Sequence, residues 1–375
     1  MIPFNKPVII GHEFQYIKEA VYSGKISGDG IFTKKCEAFF EQYGFNKVLL
    51  TTSCTDALEM AAILLDIQPG DEIIIPSYTF VSTANAFALR GAEIRFVDCE
   101  DNTPNLDADK VEELITPKTK ALVVVHYAGI ACEIEKLVGI ARKHDLYLIE
   151  DAAQAIDSYY EDKPLGSFGN LATFSFHETK NVISGEGGMI VINDNKFVKR
   201  AEIIREKGTN RTAFFRGEID KYQWVDIGSS FLPSDIIAAF LFAQLEKLKN
   251  IQARRKEIWE RYYSGLYQLT SEYNIQLPHI PVGATNNGHI FYLVCNDLSE
   301  RDQLIASLKE NNIMAVFHYQ SLHKSKYFKN RHDGRQLPNC DRFSDCLVRL
   351  PLFYSLSGSD QDKIIDHVQT FYKNR

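Results

Sequence analysis

ALVVVHYAGIACEIEKLVGIARKHDLYLIEDAAQA, residues 121–155, holds two apolar runs, ALVVV and LYLI, on either side of EKLVGIARKH, which has helical spacing. Apolar runs without polar alternation belong to strands covered on both faces, and two such strands joined through a helix lie parallel in one sheet. The same rhythm extends outward from this unit. VLLTTSCTDALEMAAILLDI (48–67) runs a strand directly into a helix and closes at Pro69-Gly70, while EIIIP (72–76) and AEIRFVD (92–98) flank another helical segment. LATFSF (171–176) and the residues from Met189 onward read as further strands. The expectation is an α/β fold, a mostly parallel central sheet flanked by helices, over residues 1–245. A long helical pattern from about 235 to 266 leads into HIFYLVCND, RDQLIASLKENN, IMAVFHYQSL and a final helix from about 360, which predicts a smaller C-terminal α+β domain over residues 246–375.

With 45% hydrophobic and 24% charged residues, the 375-residue chain has a soluble globular composition. A net charge of -7 and the lack of any basic arm argue against nucleic acid as a partner. No stretch approaches ~18 uninterrupted apolar residues, and MIPFNKPVIIGHEF lacks the pattern of a secretion signal, so no membrane partner and a cytoplasmic location are expected. Seven cysteines fall at 36, 54, 99, 132, 295, 340 and 346 without metal-ligand spacing, so free thiols and no metal site are expected.

In open sheets of this kind ligands sit at the carboxyl ends of the strands. That rule places Ser53 to Thr55, Ser77 to Phe80, His126-Tyr127, Asp151 and Ser175 to Lys180 along one edge. The strand-to-helix junction at Ser53 to Thr55 leaves the first helical N–H groups unpaired, which is a natural anion site. In SFHETKNVISGEGG (175–188) one lysine, Lys180, lies between a strand and a glycine-rich turn. A buried lysine has a lowered pKa and a nucleophilic amine able to form a Schiff base with an aldehyde. Asp151 reads either as the N-cap of a helix starting at AAQAI or as a buried carboxylate facing a cationic ring nitrogen. Gln154 would share its helical face and donate to a ring oxygen. RTAFFRGEIDKYQWVDIGSSFLPS (211–234) has few periodic features and reads as a long ordered loop.

TSCTDALEMA, PSYTFVSTANAF, EDAAQA, FSFHETK followed by GEGG, SDIIAA and HYQSLH together resemble the signature blocks of the DegT/DnrJ/EryC1/StrS family of sugar aminotransferases. The resemblance implies a fold-type I aminotransferase dependent on pyridoxal 5'-phosphate and working as a homodimer with sites at the subunit interface. It implies Lys180 as the cofactor's covalent anchor and catalytic base, Asp151 at the ring nitrogen and Gln154 at the ring's 3-oxygen. Ser175 and the backbone at Cys54 and Thr55 would hold the phosphate, and Phe80 would stack on the ring. Ser230, in GSSFL, stands where many members carry an Asn that reaches the partner subunit's cofactor. A narrower likeness in MIPFN, GKISGDG, LLTTSCT, SFHETKN, IREKGTNR, YQWVDIGSS and MAVFHY is to the bacterial subgroup that supplies an aminosugar for enterobacterial common antigen. It implies dTDP-4-dehydro-6-deoxy-D-glucose as acceptor, L-glutamate as donor and an amine placed on C4, with the gluco epimer or a 3-amino sugar as alternative products. A diphosphate substrate calls for cationic groups at the mouth of the site, for which Lys207, Arg211 and His318 are candidates, and His177 is placed to sit over the substrate.

Overall fold

The computed structural model describes residues 1–375. The apolar runs assemble as one seven-stranded sheet. Its strands are β1 (Val48–Thr51), β2 (Glu72–Pro76), β3 (Glu93–Val97), β4 (Thr119–Val125) and β5 (Tyr147–Asp151), then β8 (Leu171–Ser175) and β9 (Gly188–Ile192), beyond a two-stranded ribbon of β6 (Tyr159–Tyr160) and β7 (Lys163–Pro164). The order across the sheet is β1-β9-β8-β5-β4-β2-β3. All neighbours from β8 to β3 are parallel, and β9 runs antiparallel to both β1 and β8.

Period-two alternation explains why nearly every strand residue is apolar: each face meets its own core. Leu49, Leu171 and Ile190 point into a cluster with α3 (Cys54–Leu64), α4 (Val81–Ala88) and α6 (Val198–Arg205). Their neighbours Leu50, Ala172 and Val191 point the other way, onto α1 (Glu13–Tyr22), α2 (Ile31–Gln42) and α8 (Asp235–Leu245). On that same side, α5 (Ile134–Lys143) covers Leu122, Val124 and Leu148. α8 is apolar on nearly every side because it is buried, and Ser234 caps it by accepting from the Ile237 amide.

The single helix expected from 235 to 266 is two helices. Glu246 and Lys247 break the pattern, and α9 (Leu248–Leu266) leaves in a new direction, carrying its apolar stripe to a second core. That core holds α10 (Gln268–Tyr273), α11 (Leu298–Glu310) and α13 (Gly358–Lys373) against a small antiparallel sheet of β10 (Phe291–Val294), β12 (Leu347–Leu350) and β11 (Val316–Phe317). The opposite face of the small sheet, with α12 (Pro338–Cys346), contributes Tyr292, Val294, Phe343 and Leu347 to the large cluster that contains α3. The segment 211–234 contains one short helix, α7 (Arg211–Phe215), and is pinned by bridges from Glu206 to Ser230 and from Thr209 to Trp224. No helix is long and apolar enough to cross a membrane. All seven cysteines are free thiols.

Candidate active site

The carboxyl ends of β5 and β8, the first turns of α3 and α4, and the facing side of the small sheet enclose a cavity of about 570 Å³. Ser53, Cys54, Thr55, Asp151, Ser175 and Lys180 all line it, as the strand-end rule predicts. Ser53 caps α3, its Oγ accepting from the Asp56 amide at 3.0 Å. The Cys54 and Thr55 amides are left without intrahelical acceptors at the positive end of the helix. Thr55 Oγ1 lies 2.8 Å from Ser82 Oγ, which joins the starts of α3 and α4.

Gly188 completes this corner. A Cβ there would stand 2.4 Å from the Cys54 amide nitrogen and 2.6 Å from the Ser53 carbonyl oxygen. Only a residue without a side chain lets β9 approach the cradle this closely. Gly188→Ala is therefore expected to spread β9 from α3 and to weaken binding of an anion at the start of α3 by roughly tenfold or more, the worth of one charge-assisted hydrogen bond. Calorimetric titration with inorganic phosphate reads this directly; an unchanged dissociation constant would place the anion site elsewhere.

No helix follows β5. The chain enters turns at Ala152, so Asp151 is not an N-cap and Gln154 reaches its place through a turn instead of along a helical face. Asp151 is 5% exposed, with Oδ2 accepting from Thr83 Oγ1 at 2.7 Å and Oδ1 accepting from the Ala153 amide at 3.2 Å. Burial raises its pKa above the ordinary carboxylate value, against the opposing pull of these two donors and of Lys180. Such a carboxylate is short of a cationic partner. Gln154 is also buried; its Oε1 accepts from the Ala128 amide and its Nε2 donates to the Tyr319 hydroxyl at 3.0 Å.

Lys180 sits in a tight turn whose position is fixed by its neighbour. Asn181 donates to Gln252 Oε1 at 2.8 Å and to the Asn287 carbonyl at 2.9 Å, both buried. Burial lowers the Lys180 pKa; Cys54 and Asp151 pull it back up, and Arg349 adds to the lowering. The amine is consequently more often neutral, and nucleophilic, than a surface lysine.

A model of the DegT/DnrJ/EryC1/StrS aminotransferase family matches residues 7–369. The chain belongs to this family. Solved structures agree over its whole length. The aminotransferase TlmJ from Streptoalloteichus hindustanus is 30% identical with a TM-score of 0.91, covering 100% of this chain and 99% of that one. Spr1654 of Streptococcus pneumoniae, assigned as a sugar aminotransferase and solved in its PMP form, is 28% identical with a TM-score of 0.92 over 100% of both chains. S. venezuelae DesV is 28% identical with a TM-score of 0.89, covering 100% of this chain and 99% of that one. The fold is thus that of the fold-type I aminotransferases, and the protein is a sugar aminotransferase dependent on pyridoxal phosphate.

The aminotransferase's own residues fit that cofactor. The α3 cradle suits a phosphate, Asp151 lacks the cation that a protonated ring nitrogen would provide, and Lys180 offers a partly neutral amine to an aldehyde. Phe80, the N-cap residue of α4, is 54% exposed and lines the cavity, with its ring 6.1 Å from that of Tyr319. A flat apolar surface is available there for a ring.

The substrate-side expectations divide. His177 and His318 both line the cavity. His177 is at the mouth, its Nδ1 2.9 Å from Thr179 Oγ1 and its Nε2 3.7 Å from Glu186. His318 is buried, paired through Nδ1 with the Tyr127 hydroxyl at 2.7 Å, and burial drives its pKa down, so it is neutral. Lys207, Arg211 and Ser230 lie outside the cavity of the single chain. Lys207 and Arg211 both turn to Glu206, at 3.6 and 3.1 Å. His126, placed by sequence on the ligand edge, is instead fully buried against Glu150 at 3.0 Å. Thr83, His289, Tyr319 and Arg349 belong to the site and went unnoticed in the sequence. Of these Thr83 lay within PSYTFVSTANAF and Tyr319 within HYQSLH; the Tyr319 backbone adopts φ +50, a conformation rare outside glycine and found where surroundings hold a residue in place.

Proposed function

We propose that the enzyme transfers the amino group of L-glutamate to C4 of dTDP-4-dehydro-6-deoxy-D-glucose, giving dTDP-4-amino-4,6-dideoxy-D-galactose and 2-oxoglutarate. The observation that carries this reading is where the subgroup-like segments fall. Phe4 and Asn5 of MIPFN line the cavity, beside Lys180 and His318-Tyr319, which SFHETKN and MAVFHY share with the wider family's blocks. Segments that distinguish a narrow group of enzymes and surround the substrate are those that choose it.

Pyridoxal phosphate, when bound, supplies the electron sink for a carbanion next to nitrogen. In our reading the chain's residues do the rest. The Cys54 and Thr55 amides and Ser175 would hold the phosphate, Asp151 would keep the ring nitrogen cationic, Gln154 would donate to the ring's 3-oxygen, and Phe80 would stack on the ring. Lys180 Nζ would take the proton from the donor's α-carbon as general base and, as general acid, would give a proton to C4 of the sugar in the second half of the cycle. Residues 1–245 form the cofactor-binding domain and 246–375 the smaller one.

Trp224, Phe215, Tyr222, Val225 and Ile227 are exposed on the segment that also carries Arg211 and Ser230. Apolar side chains grouped on a surface mark an interaction site. We assign this segment to the contact with a second copy of the chain in a cytoplasmic homodimer, where Lys207, Arg211 and Ser230 reach the partner's cavity.

Incubation with L-glutamate and dTDP-4-dehydro-6-deoxy-D-glucose, followed by NMR of the sugar, tests the assignment. An axial amine at C4 is expected; an equatorial amine, or one at C3, would overturn it. Because both substrates use the same cavity in turn, initial-rate data should give parallel double-reciprocal lines, and intersecting lines would exclude this order of events.

A further inference from the structure

Two buried imidazoles line the cavity, and the chain fixes the position of the proton in one of them. His318 pairs through Nδ1 with the Tyr127 hydroxyl, a group that can donate or accept, so either tautomer satisfies it. His289 differs. Its Nδ1 lies 2.8 Å from Asn181 Oδ1, and the orientation of that amide is settled at its other end. Asn181 Nδ2 donates to the Asn287 carbonyl at 2.9 Å and to Gln252 Oε1 at 2.8 Å. A backbone carbonyl has no proton to offer, so turning the Asn181 amide over would set two oxygens against each other. Asn181 Oδ1 therefore faces His289 and can only accept, which puts the proton on Nδ1.

Burial drives the His289 pKa well below the ordinary imidazole value, and Lys180, Arg255 and Arg349 add to the fall. The ring is neutral, so with Nδ1 protonated its Nε2 is a bare acceptor. Nε2 makes no hydrogen bond within the chain, yet it is not among the polar atoms sealed from solvent. The 8% of His289 that remains exposed opens on the cavity, near enough to Lys180 to feel its charge. An acceptor withdrawn from water in this way costs free energy until a ligand supplies a donor.

The ligand group that fits must carry a proton. A carboxylate or a phosphate brings only lone pairs and is repelled by Nε2. A ring held neutral among cations is a weak base, which suits recognition better than proton transfer. In an amino donor the nitrogen is drawn to the aldehyde that Lys180 would hold, whereas a hydroxyl next to the carbonyl of a keto sugar stays free to donate. In dTDP-4-dehydro-6-deoxy-D-glucose the C4 carbonyl is flanked by C3, which bears a hydroxyl, and by C5, which bears a methyl group. Only the C3 side offers a donor beside the reacting carbon.

We propose that His289 Nε2 accepts a hydrogen bond from the hydroxyl adjoining the carbonyl of the keto sugar, the C3 hydroxyl in the acceptor proposed above, a specificity contact that rests on that reading of the cavity. The site then selects α-hydroxy ketones over acceptors whose neighbouring carbons carry only hydrogen or alkyl groups.

Calorimetric titration of the pyridoxal phosphate form with the keto sugar tests this without turnover, because that form holds no amino group to transfer. The wild-type holoenzyme should bind dTDP-4-dehydro-6-deoxy-D-glucose roughly tenfold more tightly than its 3-deoxy analogue, the worth of one hydrogen bond to a buried group. His289→Asn isolates the contact: the Asn amide nitrogen can take the place of Nδ1 and donate to Asn181, while nothing replaces Nε2. This variant should bind the two sugars alike. His289→Gln, whose Oε1 can take the place of Nε2, should keep the preference. Oxidation of the pyridoxamine form by the two sugars should follow the same order, and the half-saturating L-glutamate concentration for loss of the visible band should stay within about twofold of wild type in both variants. Equal wild-type affinity for the two sugars would overturn the assignment. So would a His289→Asn defect shared equally by glutamate and sugar, which would mark His289 as a support of Lys180 through Asn181. The wild-type comparison stands even if neither variant folds. If the sugar fails to oxidise the pyridoxamine form, the acceptor reading falls and the His289 contact with it; oxidation that ignores the C3 hydroxyl removes His289 alone.

Discussion

Lys180→Ala is expected to reduce turnover by roughly 10⁴-fold, the upper range for loss of a positioned acid–base group, because in the proposed reading the same amine also anchors the cofactor. The fold should survive. The turn around residue 180 is held by Asn181, through Gln252 and the Asn287 carbonyl, and not by the lysine side chain. Burial lowers the Lys180 pKa, so replacing the amine with a methyl group removes a desolvation cost instead of a stabilising contact. Lys180→Arg should be equally inactive, since a guanidinium stays protonated and cannot serve as nucleophile or base. Single-turnover bleaching, with circular dichroism as a control, checks this. Partial rescue of Lys180→Ala by a small added amine is the signature of a missing proton carrier, and an unimpaired first half-reaction in that variant would assign the chemistry to another group.

Asp151→Asn should lower turnover by about 10²- to 10³-fold, the range for losing one preorganised charge interaction with the reacting system. The substitution is sterically mild. Asn can accept from the Ala153 amide and donate to Thr83 Oγ1, which lies 2.9 Å from Thr79 Oγ1 and can donate onward. The pH dependence separates a functional carboxylate from a structural one. Burial raises the folded pKa of Asp151 above the ordinary carboxylate value, so its ionised form is disfavoured in the folded apoprotein. Its contribution to stability is fully present below the unfolded pKa and is lost as pH rises through the folded value. At neutral pH the cofactor-free Asn variant should therefore melt at or above the wild-type temperature, with the gap closing as pH falls toward the carboxylate range. The holoenzyme should show the reverse order, because only the carboxylate pairs with a cationic ring. A variant that is less stable in both forms would mark Asp151 as structural.

How far the site could be read in advance follows the type of information each residue carries. Lys180, Asp151, Gln154, Ser175 and the Cys54-Thr55 turn lie within a few residues of strand ends, so local pattern and the strand-end rule locate them together. The turn chemistry between them was less visible. AAQAI after β5 has residues compatible with a helix, yet hydrogen bonding of the Gln154 side chain to the Ala128 amide and to Tyr319 keeps the chain in turns. Likewise the pattern from 235 to 266 reads as one helix because apolar residues continue through it, whereas its two halves serve different cores.

Arg349 marks the limit most clearly. In sequence it is one of 42 Lys and Arg residues, inside LVRLPLF, with nothing adjacent to suggest a cavity. Its character comes from Phe4, Tyr78, Tyr127, Tyr319 and Lys180, which are far from it along the chain and meet it only when the small sheet closes over the large one. The sequence by itself determined the parallel sheet, the gathering of Ser53 to Thr55, Asp151, Ser175 and Lys180 at one edge of it, and the family, since each depends on short-range periodicity and on motifs a few residues long. Only the tertiary structure decided which cations line the chain's own cavity and which turn away from it, as Lys207 and Arg211 do toward Glu206. Charge pairing is a property of distances in space, and residue spacing does not encode it.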